Sequence, residues 1–147
     1  PGSQSHGHVE SVSMEEVIRH FTVQEAQELV PWLRQTFDAI EPLKDDLTRI
    51  KSRVQSVITR VRSNGGDNAG KDMDEATKAL LVIQNRMSEL SDSIVERGII
   101  LRSVEQGLVD FPSIRDKRTI YLCWRTGESS ITQWHETDVG FAGRRPL

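Results

Sequence analysis

The chain has 147 residues, of which 36% are hydrophobic and 28% are charged, and its formal net charge is −3. This length and apolar content suffice for one modest domain, and the near-balanced charge gives no support to a strong preference for nucleic acid or anionic membranes. The single cysteine excludes an internal disulfide, so a reducing, cytoplasmic setting is the simplest interpretation.

The N-terminal segment PGSQSHGHVESVS is polar and lacks the apolar stretch of a signal peptide. We therefore expect residues 1–20 to form a flexible tail, in which His6 and His8 could bind a stray metal ion. No apolar run approaches the ~20 residues that a membrane-spanning helix needs. The remainder, residues 21–147, is expected to form a single domain.

A helix is predicted to begin after Thr22. The run Thr22-Val23-Gln24-Glu25 is a capping box, in which the threonine hydroxyl and the glutamate carboxylate each accept a hydrogen bond from a free amide. Pro31 cannot donate to the carbonyl four residues before it, which predicts a short helix 23–30 followed by a new helix or a kink. Pro42 predicts a second bend for the same reason.

Two apolar seams with alternating spacings of three and four residues follow, and a glycine-rich segment at 63–70 separates them. The first consists of Ile40, Leu43, Leu47, Ile50, Val54, Val57 and Val61, and the second of Met73, Ala76, Leu80, Ile83, Met87, Leu90 and Ile94. Residues 44–62 carry six Lys/Arg against two Asp, whereas residues 72–97 carry six Asp/Glu against three Lys/Arg. Seams of similar length and opposite charge predict a long antiparallel helical hairpin, resembling a coiled coil, over residues 22–97.

After Gly98, which is suited to end the second helix in a left-handed conformation, the apolar period changes to two. A two-residue type II′ turn at Gly127-Glu128 is expected to join the last two strands. The predicted strands are 99–101, 107–111 (stopped by Pro112), 118–125 and 130–136, with a polar turn at 113–117. The fold class is therefore α+β: a helical hairpin followed by a small antiparallel sheet of three to four strands in a β-rich block, 98–147.

The predicted turn decides whether a metal site can form. With Trp124 opposite Ile131, strand alternation places Cys123 and His135 on opposite faces, so they could not share a zinc ion, although a one-residue slip would reverse this. A divalent-metal or ligand site rich in carboxylates stays open, with the residues His135, Glu136, Asp138 and Asp110. In the alternative, His135 forms a hydrogen bond at the sheet edge and holds the terminal loop.

The cysteine and the glycine-rich end of the chain are two further candidate sites. Cys123 lies in a strand rather than at a helix N-terminus, which favours an inert buried thiol over a nucleophile. Glycines in the segment Gly140-Phe141-Ala142-Gly143, with Arg144 and Arg145 after them, could form an anion-binding nest. Because no helix follows them, a tight terminal turn is the favoured interpretation.

A basic stripe on the first helix contains Arg49, Arg53 and Arg60 and would suit contacts with nucleic-acid phosphates. No aromatic residue interleaves with these arginines, and the acidic second helix supplies partners within the chain. A solvated helix face is therefore the favoured interpretation.

The beginning and the end of the chain resemble a family of uncharacterised bacterial proteins, domain of unknown function 2203. The resemblance spans about 21–147, and the helical middle matches only in character. It implies almost nothing about activity. The motifs that carry it are Phe21-Thr22 with Glu25-Ala26, Leu29-Val30-Pro31-Trp32-Leu33, Gly107-Leu108-Val109-Asp110-Phe111-Pro112, Leu122-Cys123-Trp124-Arg125 with Gly127-Glu128, Trp134-His135-Glu136 and Gly140-Phe141-Ala142-Gly143-Arg144.

Three functions are compatible with the sequence. The first is a non-enzymatic cytoplasmic interaction or assembly module that self-associates through its helices into a homo-oligomer, because the seams are long and no known catalytic motif is present. The second is a small metal-dependent or anion-binding enzyme that uses His135, Glu136 and Asp138, with Arg144 near Asp110 and a divalent metal as cofactor. Nucleic-acid binding through the basic stripe ranks third.

Overall fold

A computed structural model describes residues 18–64 and 68–147 of the chain. The chain divides into two compact units. One consists of the described part of Pro1–Val30 together with Val95–Leu147, and the other is Pro31–Ile94. The predicted tail, including His6 and His8, lies outside the described residues except for its last three positions.

Two helices account for the predicted hairpin: α1 spans Val23–Asn64 and α2 spans Ala69–Glu96. The expectation that a separate helix begins at Pro31 is wrong, because both Pro31 and Pro42 lie inside α1. A proline in a helix interior costs about 3 kcal/mol. Burial of the neighbouring Val30 and Leu33, which are 2% and 0% exposed, offsets that cost.

The predicted signals at the helix ends are confirmed. The Thr22 hydroxyl accepts a hydrogen bond from the Glu25 amide at 3.1 Å, and the Glu25 carboxylate accepts one from the Thr22 amide at 2.8 Å. Gly98 has a φ of +88° and donates its N–H to the Val95 carbonyl at 2.9 Å. These bonds satisfy backbone groups that a helix end would otherwise leave without partners.

Within the unit Pro31–Ile94, the two helices run antiparallel and carry complementary charges. Arg53 pairs with Glu75 at 3.2 Å, and Arg60 pairs with Asp72. Several seam residues are buried as the spacing predicted, although Val61 remains 44% exposed. The buried hydrophobic residues of this unit are Leu33, Phe37, Ile40, Val57, Ala76, Ile83 and Ile94.

Among the described residues, five strands form one antiparallel sheet, which is one or two strands more than expected. Every strand pairs with its neighbour in sequence. A short 3-10 helix, Phe141–Gly143, precedes the last strand. The strands are β1 (Ile100–Ser103), β2 (Leu108–Arg115), β3 (Arg118–Arg125), β4 (Gln133–Glu136) and β5 (Arg145–Pro146). The predicted bounds of β3 are confirmed.

The second strand continues through Pro112, contrary to the expectation that this proline would stop it. The Pro112 carbonyl accepts the Phe21 N–H at 2.7 Å, so this carbonyl points away from β3. The N and C=O of one residue point to the same side of a strand, so the Pro112 nitrogen also points away from β3, and its missing N–H removes no bond to that strand. On the other side of β2, the pairing with β1 has already ended at Asp110, so no bond to β1 is lost either. Asp116 and Lys117, both with positive φ, then form a two-residue turn into β3.

One face of the sheet packs on the chain segment before α1 and on the first turns of that helix. Phe21 is 2% exposed and meets the Phe111 ring edge-on, with 5.1 Å between centroids. The Ser113 hydroxyl donates to the Phe21 carbonyl at 2.6 Å. The buried hydrophobic residues of this unit are Phe21, Ala26, Val30, Ile99, Val109, Phe111, Ile120, Leu122, Cys123, Trp124, Ile131 and Trp134.

Arg19 and His20, which were expected to belong to the tail, contact other residues of this unit. The Arg19 guanidinium donates to the Arg97 carbonyl at 2.8 Å, and the His20 Nε2 lies 3.1 Å from the Thr119 hydroxyl. In the described part of the chain, neither helix combines the length and apolar character required to cross a membrane.

Candidate functional site

The second face of the sheet gathers an aspartate, a cysteine and a histidine from three neighbouring strands. Asp110 in β2 is directly opposite Cys123 in β3. His135 in β4 is opposite Tyr121, two residues before Cys123. Because alternate residues of a strand share a face, the three side chains point to the same side.

The prediction that Cys123 and His135 lie on opposite faces is therefore wrong. The observed register pairs Cys123 with Gln133, one residue away from the expected pairing. β4 begins only at Gln133 because the preceding Ile131 has its backbone bound elsewhere: Gln27 of α1 accepts the Ile131 N–H at 2.8 Å and donates to the Ile131 carbonyl at 2.7 Å. The connection is thus longer than a two-residue turn, and the faces of β4 are exchanged.

His135 has both ring nitrogens in hydrogen-bond contact. Its Nε2 lies 3.0 Å from Asp110 Oδ1, and its Nδ1 lies 2.9 Å from the Glu136 backbone carbonyl. The histidine and aspartate side chains are each 3% exposed. Both partners are hydrogen-bond acceptors, so the two bonds together need a proton on each nitrogen or a proton shared with the Asp110 carboxylate.

The same contacts exclude a cysteine nucleophile activated by His135 in this arrangement, because neither ring nitrogen is left to accept the thiol proton. Burial, reinforced by the negative charge of Asp110, raises the pKa of the Cys123 thiol from 9.0 to about 12. The nearby Arg144 opposes this effect. The buried thiol expected from the sequence is present, since Cys123 is 1% exposed, and it is protonated at neutral pH.

The three side chains offer one ligand atom each, and these atoms lie within 4.8 Å of one another. Ligands bound to a tetrahedral zinc ion at about 2.0–2.3 Å are separated by roughly 3.3–3.7 Å, so small side-chain rotations would complete such a site. The bond from His135 Nδ1 to a backbone carbonyl is the contact that usually orients a metal-binding histidine. A thiolate, an imidazole and a carboxylate form a donor set suited to Zn²⁺ rather than to Mg²⁺ or Ca²⁺.

A cavity of about 290 Å³ opens beside the cluster. Its polar end contains Arg102, whose Nε donates to Asp110 Oδ2 at 2.8 Å. That hydrogen bond raises the pKa of Arg102 further above its ordinary value. The cavity is lined by Arg102, Leu108, Asp110, Cys123, His135, Thr137, Asp138, Val139, Gly140 and Phe141.

The proposed ligand residues of the sequence analysis are only partly brought together. His135 and Asp110 are in direct contact, and Asp138 is exposed at the wall of the same cavity. Glu136 lies on the opposite face, where Arg118 donates two hydrogen bonds to it at 3.0 and 2.6 Å. These bonds lower the pKa of Glu136.

The segment considered as an anion nest forms a tight turn in which two amides are already used. The Gly143 N–H donates to the Gly140 carbonyl at 2.9 Å, and the Arg144 N–H donates to the Phe141 carbonyl at 3.2 Å. The Arg144 guanidinium pairs with Glu128 at 2.9 Å and lies 3.8 Å from the Phe141 ring. These contacts hold the cavity wall in place.

Arg145 lies apart from the cavity: its guanidinium is 5.4 Å from the centroid of the Trp134 ring. The arginines of the basic stripe also have partners, as the charge pattern suggested. Arg49 pairs with Asp46 in its own helix, and Arg53 and Arg60 pair with acidic residues of α2.

Sequence reasoning missed two members of the site, Cys123 and Arg102. For Cys123 the signal was the alternative register, in which it shares a face with His135. For Arg102 the only signal was its position eight residues before Asp110, across the predicted turn between the first two strands.

A family model described as "Uncharacterized conserved protein (DUF2203)" matches residues 19–147. The comparison with curated proteins and that with solved structures gave no match.

Proposed function

The chain belongs to the family of uncharacterized conserved proteins DUF2203, and we propose that this member is a zinc-binding protein whose metal centre consists of Asp110, Cys123 and His135. The observation that carries the proposal is the convergence of three ligand atoms of different chemistry within 4.8 Å, on three side chains that are all buried. Three protein ligands leave one tetrahedral position for a further ligand, as in catalytic rather than structural zinc sites.

The contact between two of the ligand residues supports a cation at this place. The site places a buried carboxylate and a buried imidazole in contact, and a metal ion replaces the proton that this contact requires. Zn²⁺ also converts a thiol of high pKa into a bound thiolate, releasing its proton. Burial and the negative charge of Asp110 both raise the pKa of Cys123 in the metal-free chain, but the same negative charge attracts a divalent cation.

A buried acceptor on the same face gives further support. Gln133 is paired with Cys123 across the strands. Its Oε1 atom is buried, and no donor reaches it from the residues that the structure describes. A buried acceptor without a donor costs about 1–3 kcal/mol, which a donor bound beside the cluster, such as a water on the metal, would offset.

The test measures metal binding in the full chain with His6 and His8 replaced by Asn, because these two histidines could bind zinc on their own. We expect about one zinc ion per chain after dialysis. Loading with Co²⁺ should give the near-ultraviolet charge-transfer band of a cobalt–thiolate bond.

Cys123→Ala should abolish that band, and His135→Asn should lower the metal affinity at least ~10-fold. His20→Asn, at an exposed histidine outside the cluster, is the matched control and should change neither. Absence of bound metal, or a band that survives Cys123→Ala, refutes the proposal.

Self-association through the helices is a second candidate function, supported by large apolar side chains that α2 exposes. Leu81, Val82 and Val95 are 52%, 68% and 56% exposed. An interface of two copies would remove such surfaces from water. Sedimentation at micromolar concentration tests it: a dimer that Val82→Glu converts to a monomer is expected, and a monomer throughout refutes it.

A further inference from the structure

We propose, building on the zinc centre of the preceding section, that the cavity binds a small organic carboxylate. The carboxylate group lies between the zinc ion and the guanidinium of Arg102, and the organic part of the molecule lies along the apolar wall of the cavity.

Arg102 is placed to bind an anion. Its side chain lines the cavity and is 43% exposed, and its guanidinium lies 5.1 Å from the centroid of the Tyr121 ring. A guanidinium has five N–H donors in one plane, of which the bond to Asp110 uses one. The Asp110 bond and the aromatic ring hold this plane in a fixed orientation, which favours the recognition of planar carboxylates.

Asp110 bridges the two groups that would bind the ligand, which are the guanidinium of Arg102 and the zinc ion. Its Oδ2 accepts a hydrogen bond from Arg102, and its Oδ1 contacts His135, where the metal would bind. The two oxygens of a ligand carboxylate have the same separation as these two oxygens of Asp110. A ligand carboxylate can therefore place one oxygen on the open zinc position and the other on the remaining donors of Arg102.

The rest of the cavity selects a small monoanion with an apolar body. Its wall includes the apolar side chains of Leu108, Val139 and Phe141. Two carboxylates, those of Asp110 and Asp138, also line it, and they repel a phosphate dianion more strongly than a monocarboxylate. A volume of about 290 Å³ is at the lower end of the range for small-molecule sites.

The experiment titrates the cobalt-loaded full chain, with His6 and His8 replaced by Asn, with benzoate, inorganic phosphate and the neutral analogue benzamide. The visible spectrum of the cobalt reports on its open coordination position. We expect saturable spectral changes with benzoate, a weaker response to phosphate, and none with benzamide. Arg102→Gln should weaken benzoate binding at least ~10-fold. Arg102→Lys keeps the charge but not the planar donors, so its benzoate affinity should lie between those of the unsubstituted chain and of Arg102→Gln.

Arg115→Gln is the matched control, because this exposed arginine lies 4.5 Å from the Trp134 ring on the opposite face of the sheet; it should leave benzoate binding unchanged. The spectrum before titration shows whether each variant still holds cobalt. Benzoate binding that is equal in Arg102→Gln, or tighter binding of phosphate, overturns the inference while leaving the zinc centre intact. A chain that binds no cobalt overturns both.

Discussion

The chemical reactivity of Cys123 offers a direct test of the site geometry, because it is the only cysteine in the chain. Burial and Asp110 raise the pKa of its thiol from 9.0 to about 12. At pH 8 the thiolate fraction is then about 1,000-fold smaller than for an ordinary thiol. A more basic thiolate is a stronger nucleophile, with a Brønsted coefficient of about 0.4–0.5, which restores a factor of roughly 15–30.

The net effect of ionisation is a reaction rate roughly 30–60-fold lower than that of the unfolded chain. Burial of the sulfur, at 1% residue exposure, lowers the rate further. The assay follows alkylation by iodoacetamide in chelator-treated native protein and in the same protein unfolded in guanidinium chloride. In the native chain the rate should continue to rise about tenfold per pH unit beyond pH 9, where the unfolded chain levels off.

A native rate within about threefold of the unfolded rate at pH 8, levelling off at the same pH, would refute this account of the Cys123 environment. Added zinc gives the second half of the test. Coordination should remove the pH dependence of alkylation in the native chain, because the metal-bound sulfur is already a thiolate.

Three substitutions test the packing around the site, each measured by urea unfolding. Phe21→Ala should lower the free energy of unfolding by about 3–5 kcal/mol, because Phe21 is buried against Phe111. Gly98→Ala should lower it by about 1–2 kcal/mol, because a side chain at φ +88° is strained. Glu128→Gln should lower it by about 1 kcal/mol by weakening the half-buried ion pair with Arg144.

Controls for these substitutions come from exposed apolar positions of the same unit. Val23→Ala and Ile114→Ala, at 40% and 55% exposure, should each change the free energy of unfolding by no more than about 0.5 kcal/mol. If Phe21→Ala lowers the free energy of unfolding no more than these controls do, Phe21 is not packed against Phe111 as described.

Local sequence signals predicted the parts of the fold that depend on local physics. The capping box at Thr22, the left-handed Gly98 and the bounds of β3 each follow from residues within a few positions of one another. Continuation of α1 through Pro31 was not predictable in this way, because a local rule assigns the proline a cost and cannot weigh it against burial of its neighbours.

The candidate site was missed for a related reason. Turn chemistry at Gly127-Glu128 favoured a tight hairpin, but Gln27, 104 residues before Ile131 in sequence, holds the Ile131 backbone outside the strand ladder. A one-residue difference in register then decides which face carries His135. Sequence analysis could name Asp110 and His135 as candidate ligands, but only a long-range contact could bring Cys123 to them.

The dependence of β4 on Gln27 has a consequence for the order of folding. The sheet pairs each strand with its sequence neighbour, so its hairpins can close early and quickly. The bonds from Gln27 to Ile131 instead require closure of a loop of about 100 residues, which is entropically costly and therefore late. If these bonds fix the register of β4, the cluster assembles only in the last step of folding, and metal uptake during refolding should lag behind strand formation.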